Sequence, residues 1–286
     1  MIIKKILNKI LKEFKNFISK LLYLVIPDKI LEYNSKKLVT TNLYNYEIST
    51  YNIDRVEKEQ IISLIDEFKK LINKNKKNTA LDIGGNFGIY TLAMKLANFD
   101  KILVFEPNNE IYNIMVENFK KNNLKNILTF PYGIYDETST LELSYPGIAD
   151  KKLIKKLDKY SSGSMTLNGS GKNPLKANFK KYEDIVELQN IEDCDLIKID
   201  VEGAELKVIN EIFPLIKKFK PKIIIEINRT YLDQHKKDLL LKLLKENQYK
   251  KYKIFGEKRE YEFDQISDIF DKIEQKKIGS KDLIFI

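Results

Sequence analysis

Residues 80-ALDIGGNFGIYTL-92 read as a buried strand, a glycine turn and the opening of a helix. Gly84, Gly85 and Gly88 let the backbone pass close to a ligand and take positive φ. The turn sits at a helix N-terminus, where free N–H groups favour an anionic or carboxylate-bearing ligand. A dinucleotide fingerprint needs G-x-G-x-x-G, and Asn86 stands at the second glycine, so that match fails. What remains is D-x-G-x-N-x-G with Asp82 at the strand's end, an acid suited to a ligand that carries an ammonium group.

The next strand, 101-KILVFEP-107, delivers Glu106, 22 residues after Gly84. A carboxylate at the end of the second strand is placed to accept both hydroxyls of a ribose. The plain alternative is a glycine loop serving only as a turn, with Glu106 in water, and it weakens when both features occur in register. A ligand with an amino-acid head and an adenosine tail satisfies both ends, and S-adenosylmethionine has that form.

Further on, 193-DCDLIKIDVEGAELKVI-209 is an apolar strand that ends on Asp200, Glu202 and Glu205 around Gly203. Carboxylates at a β-to-α turn of a parallel sheet stand where such sheets keep their chemistry. Strand candidates at 79–84, 101–105, 126–131, 195–200, 222–227, 251–255 and 282–286 alternate with helical stretches near 87–97, 109–122, 181–188, 204–218 and 231–247. This alternation predicts an α/β fold, a parallel sheet covered on both faces. The interval 144–178, rich in Ser, Gly and Asn, is expected to be a mobile loop between the third and fourth strands.

In order and spacing, LDIGGNFGIYTL, VFEPNNEIYNIMVENF, DLIKIDVEGAELKVI and IIIEIN resemble the FkbM-type S-adenosylmethionine-dependent methyltransferases over residues 78 to 230. The resemblance implies a class I, Rossmann-like fold: a mostly parallel seven-stranded sheet with a reversed last strand and helices on both faces. It also implies O-methylation of sugars or sugar-bearing products. Two positions depart from the family pattern, Gly85 where Ala is usual and Asn109 where Pro is usual. By the same resemblance Asp82, Gly84, Gly85, Asn86, Phe87, Gly88 and Glu106 hold the cofactor, and Gly133 and Ile134 frame the adenine. The fourth strand then ends beside the sulfonium at Asp200.

Methyl transfer to a hydroxyl needs in-line approach and removal of the hydroxyl proton. Asp200 is the candidate base or orienting group, and Glu202 the candidate for the acceptor side or the turn. Glu205 in the helix's first turn suits the helix dipole. His235, the only histidine, is a further base candidate or a solvated residue, and Asp136 a turn residue or adenine contact. Asp200 with Glu226 and Asn228 offers oxygen donors for magnesium, a possibility not favoured over direct carboxylate action. The sequence DVEG at the fourth strand's end lacks the (N/D)PP(Y/F) motif of amino-group methyltransferases, which disfavours adenine or glutamine N-methylation.

The 286 residues carry a net charge of +9, yet only three are arginine, Arg55, Arg229 and Arg259. Nucleic-acid readers lean on arginine forks, so an RNA methyltransferase is the weaker reading and a nucleotide-linked or polysaccharide sugar the stronger. A non-catalytic cofactor-binding scaffold is the third reading, opposed by Asp82, Glu106 and Asp200 occurring together. One cysteine, Cys194, excludes an intrachain disulfide, and one histidine excludes multi-histidine metal sites. The lysine- and asparagine-rich composition suits an AT-rich bacterial genome.

Residues 1–52 are expected to be a separate N-terminal region and 53–286 the methyltransferase domain. Ile3, Leu7, Ile10, Phe14, Phe17, Leu21 and Leu24 form a near-heptad stripe among lysines, ended by Pro27. Such a helix packs on its own domain, on a twin subunit as a homodimer, or on an anionic membrane surface. The longest apolar run, 21–26, is too short to span a bilayer and no cleavage site follows, so a cytoplasmic protein is expected, peripheral at the inner membrane if the helix binds there.

Overall fold

The computed structural model describes residues 29–33, 36–43, 46–50, 58–144, 167, 174–228, 234–266 and 280–286. The amphipathic helix expected over residues 1–27 lies outside the described residues, as does most of the 144–178 interval.

The first described elements are an antiparallel meander of β1 (Lys29–Tyr33), β2 (Lys36–Leu43) and β3 (Tyr46–Thr50). Helix α1 (Lys58–Leu71) leads into β4 (Thr79–Ile83), α2 (Ile89–Leu96), β5 (Lys101–Phe105), α3 (Asn109–Lys121) and β6 (Ile127–Phe130). Asn108 caps α3 by accepting the N–H of Glu110 at 3.1 Å. Then come β7 (Gly133–Ile134), β8 (Ser139–Leu143), β9 (Leu175–Lys180), α4 (Val186–Gln189) and β10 (Leu196–Ile199).

The single helix expected over 204–218 is two, α5 (Glu205–Glu211) and α6 (Phe213–Phe219). Pro214 has no N–H to continue α5 and instead occupies the first turn of α6, where none is needed. The chain finishes with β11 (Lys222–Asn228), α7 (Gln234–Glu246), β12 (Lys251–Ile254), β13 (Glu260–Glu262) and β14 (Ser280–Phe285).

The main sheet has the order β13-β12-β14-β11-β10-β4-β5-β6. Strands β6, β5, β4, β10 and β11 run parallel, and β14 is inserted antiparallel between β11 and β12. This is the class I methyltransferase arrangement, with all seven expected strands present and β13 added as an eighth on the β12 edge. The chain leaves β4 toward β5 on one side and reaches β10 on the other. The crevice at the carboxyl ends of β4 and β10 is therefore the switch point where open α/β sheets bind ligands.

Alternation along the strands builds two cores. Leu81, Ile83, Ile197, Ile199, Ile223 and Ile225 bury one face beneath α5, α6 and α7, while Ala80, Ile102, Val104, Leu196 and Ile224 bury the other beneath α1 and α2. A second, small sheet of order β7-β9-β8 stands beside the crevice. Its β9 corrects the expectation of an unbroken loop to 178, because Leu175, Ala177 and Phe179 alternate as a half-buried strand paired to β8.

Candidate active site

The glycine turn after β4 is bound to β5 rather than hanging free. Gly84 and Gly85 both donate their N–H to the Phe105 carbonyl at 3.0 Å, and the Asn86 N–H donates to Glu106 Oε2 at 2.8 Å. The other oxygen, Glu106 Oε1, accepts the Asn108 N–H at 2.8 Å. Burial pushes the Glu106 carboxyl up to about 7, against the opposing pull of these Asn108 and Asn86 donors. Gly84 has φ 86, and a Cβ there would lie 1.9 Å from the backbone oxygen of Asp200, so only glycine lets the turn lie against the end of β10.

Gly84, Asn86, Glu106, Gly133, Ile134, Asp200 and Glu202 come together around one cavity of about 260 Å³. Asn108, Ile111 and Glu226 line it as well. The other expected cofactor residues do not line it. The open side of Gly85 faces Val104, whose Cγ1 would stand 2.3 Å from an added Cβ, so this chain has no room for the alanine usual there. Gly88 takes φ 87 to start α2 and abuts the Phe119 ring, while Phe87 packs on Ile111 and Ile114. These three shape the turn, which folds back onto α3, and are not among the residues that line the cavity. Asp82 lies beneath the floor, fully buried, with Thr91 Oγ1 donating to its Oδ2 at 2.6 Å.

On the Ala80 face of the sheet, the strand ends carry a row of charges. Asp82 is in register with Lys198, and Glu226 with Asp282. Lys198, 4% exposed, was missed by the sequence reading. Its Nζ lies 3.2 Å from Asp200 Oδ2 and 3.5 Å from Asp82 Oδ1, and donates to the Gly84 carbonyl at 3.1 Å. The ammonium also sits 4.5 Å from the centre of the Tyr90 ring, whose hydroxyl donates to Asp282 Oδ2 at 3.0 Å. Burial pulls the Lys198 pKa down, but Asp200, Asp82 and Asp282 outweigh it and hold the ammonium above the ordinary lysine range. Burial likewise pushes the Asp82 and Asp282 carboxyls up. A lysine inside a central parallel strand, where apolar residues are the rule, was the signal that could have found it.

The turn after β10 is strained. Glu202 adopts φ 50 and Gly203 φ 104, a left-handed bend that costs a non-glycine residue about 1–2 kcal/mol. It brings Glu202 into the cavity wall, and carboxylate atoms of Asp200, Glu202 and Glu226 all lie within 4.8 Å of one another. Glu205 stands in the first turn of α5, where the helix dipole favours an acid, and it is 1% exposed, with its Oε1 accepting the Gly203 N–H at 3.0 Å and pinning the bend. Burial pushes its carboxyl up as well.

Asp136 pairs with Lys207 at 3.0 Å on the surface and does not line the cavity. His235 lies in the first turn of α7, but its side chain, like that of Asn228, falls outside the described residues. No helix among the described residues is long and apolar enough to cross a membrane.

The profile of the Methyltransferase FkbM domain matches residues 82–251. "Methyltransferase sdnD" of Sordaria araneosa is 26% identical over 199 residues, covering 62% of this chain and 75% of that protein. "Methyltransferase 1" of Beauveria bassiana (strain ARSEF 2860) is 28% identical over 139 residues, covering 45% of this chain and 56% of that one. Among solved structures, Methyltransferase FkbM from Methylobacillus flagellatus KT aligns at 15% identity and a TM-score of 0.45, over 73% of this chain and 44% of its own length. This chain thus spans less than half of that protein. The chain belongs to the FkbM methyltransferase family.

Proposed function

We propose that this member of the FkbM methyltransferase family transfers a methyl group from S-adenosylmethionine to a hydroxyl of a carbohydrate, a nucleotide-linked or surface-polysaccharide sugar, with Asp200 accepting the hydroxyl proton. The observation that carries the reading is the position of Asp200 on the cavity wall against the glycine turn, with Glu106 on the same cavity.

The chain's residues fit the cofactor. Glu106 keeps acceptor capacity for a ribose diol beyond its two backbone donors, since each carboxylate oxygen has two lone-pair sites. Asn86 Oδ1 is buried with no hydrogen-bond partner, a polar atom ready for a ligand donor. Ile111 and Ile134 supply apolar wall for an adenine. Bound there, S-adenosylmethionine supplies an electrophilic methyl group and leaves as a neutral thioether.

Asp200 is held through Oδ2 by the Lys198 ammonium, which leaves its second oxygen for the proton of the acceptor hydroxyl. Glu202 and Glu226 stand beside it with further acceptor oxygens, a surface that suits a molecule rich in hydroxyl donors. Labelled methyl from S-adenosylmethionine, offered with a panel of nucleotide-linked sugars and oligosaccharides, tests the proposal. A base-stable sugar methyl ether is the expected product. Label appearing only in added RNA or in amines would replace it with another acceptor class.

A further inference from the structure

We infer that Lys198 is the positioning residue of this site: its buried ammonium clamps the Asp200 carboxylate to the cavity wall and ties it to the carbonyl of the cofactor turn. The inference rests on Asp200 acting as the base. A lone ammonium inside a parallel sheet is costly to bury, so its partners account for its presence. They come from three different places: Asp200 two residues on along the same strand face, Asp82 in register on β4, and the Gly84 carbonyl at 3.1 Å. The Tyr90 ring closes a further side.

Lys198 does not line the cavity, and the surrounding acids keep it protonated, so it is neither base nor substrate contact. What it sets is the position of Asp200. That carboxylate is surrounded by Asp82 on β4, Glu226 on β11, Asp282 on β14, Tyr90 on α2, and Glu202 and Glu205 in its own turn. Lys198 is the cation that the described contacts place against it. Without that cation Asp200 stands among acids alone, and nothing ties its Oδ2 to the side of the wall where the Gly84 carbonyl lies.

The test measures kcat and KM on the sugar panel, and affinity for S-adenosylhomocysteine, in the full chain. Lys198→Met is expected to lower kcat by roughly tenfold or more, because a misplaced reacting group loses its alignment, while KM and S-adenosylhomocysteine affinity stay within a few-fold. Lys198→Arg should restore most of kcat. If Lys198→Met does not accumulate folded, Lys198→Met with Asp82→Asn removes one cation and one anion together and carries the same measurements. An unchanged kcat in Lys198→Met, with Asp200→Asn inactive, overturns the inference alone. Full turnover by Asp200→Asn overturns the base reading and the inference with it.

Discussion

The Asn86 N–H donates to Glu106 Oε2 at 2.8 Å, so the glycine turn and the end of β5 move as one piece. Glu106→Ala removes the proposed ribose acceptor and also the carboxylate that accepts the Asn86 and Asn108 N–H groups. Each lost bond to the charged acceptor is worth about 1.5–3 kcal/mol before relaxation. Calorimetry should show S-adenosylhomocysteine binding weakened at least tenfold. Equal affinity for the variant would remove Glu106 from the ribose site.

The same residue sets a pH dependence. Its folded value of about 7 stands above the ordinary 4.5, so the protein holds this proton into the neutral range. The stability it contributes is complete below pH 4.5 and is lost as pH rises through about 7. Ribose hydroxyls are accepted best by the ionised form, so S-adenosylhomocysteine should raise the melting temperature more at pH 8 than at pH 6. Glu106→Gln should flatten that difference, and a shift independent of pH in the wild-type protein would contradict it.

Two glycines separate a close approach from simple backbone freedom. Gly84 and Gly256 both have positive φ, 86 and 83, but an added Cβ meets the Asp200 carbonyl at 1.9 Å in the first and nothing within 4 Å in the second. Gly256→Ala should cost only the left-handed penalty of about 1–2 kcal/mol. Gly84→Ala must also push β10 away, so it should lose more stability and lose cofactor binding. Urea unfolding of the two variants, compared directly, checks this order.

The strands were legible because apolar runs and helical periods alternate along the chain, and DIGGNFG and VFEP lie where two strands end in register. The charged row beneath the cavity was not. Reading acids as site and lysines as surface hid Lys198, whose meaning depends on Asp82 standing opposite it from more than a hundred residues away. Glu205 was hidden for a related reason: one turn of helix predicts a dipole partner, and only the left-handed bend at Glu202 makes its carboxylate an internal cap. The strand β9 was lost inside a polar interval, since its pairing with β8 is set by tertiary contact.

The carboxylates of Asp200, Glu202 and Glu226 also have the spacing of an oxygen-donor metal site. Lys198 already stands as a cation 3.2 Å from Asp200, which leaves direct carboxylate action the favoured route. Turnover should therefore survive EDTA unchanged. Activity lost to EDTA and recovered with magnesium would assign these three acids to a metal instead.

Asp200→Asn keeps the shape of the side chain and removes its ability to take a proton. Methyl transfer by this variant should slow by roughly 10²–10⁴-fold, the span usual for lost general-base help. Its calorimetric affinity for S-adenosylhomocysteine should stay within a few-fold of wild type. A variant that transfers methyl groups at the full rate would contradict the role given to Asp200.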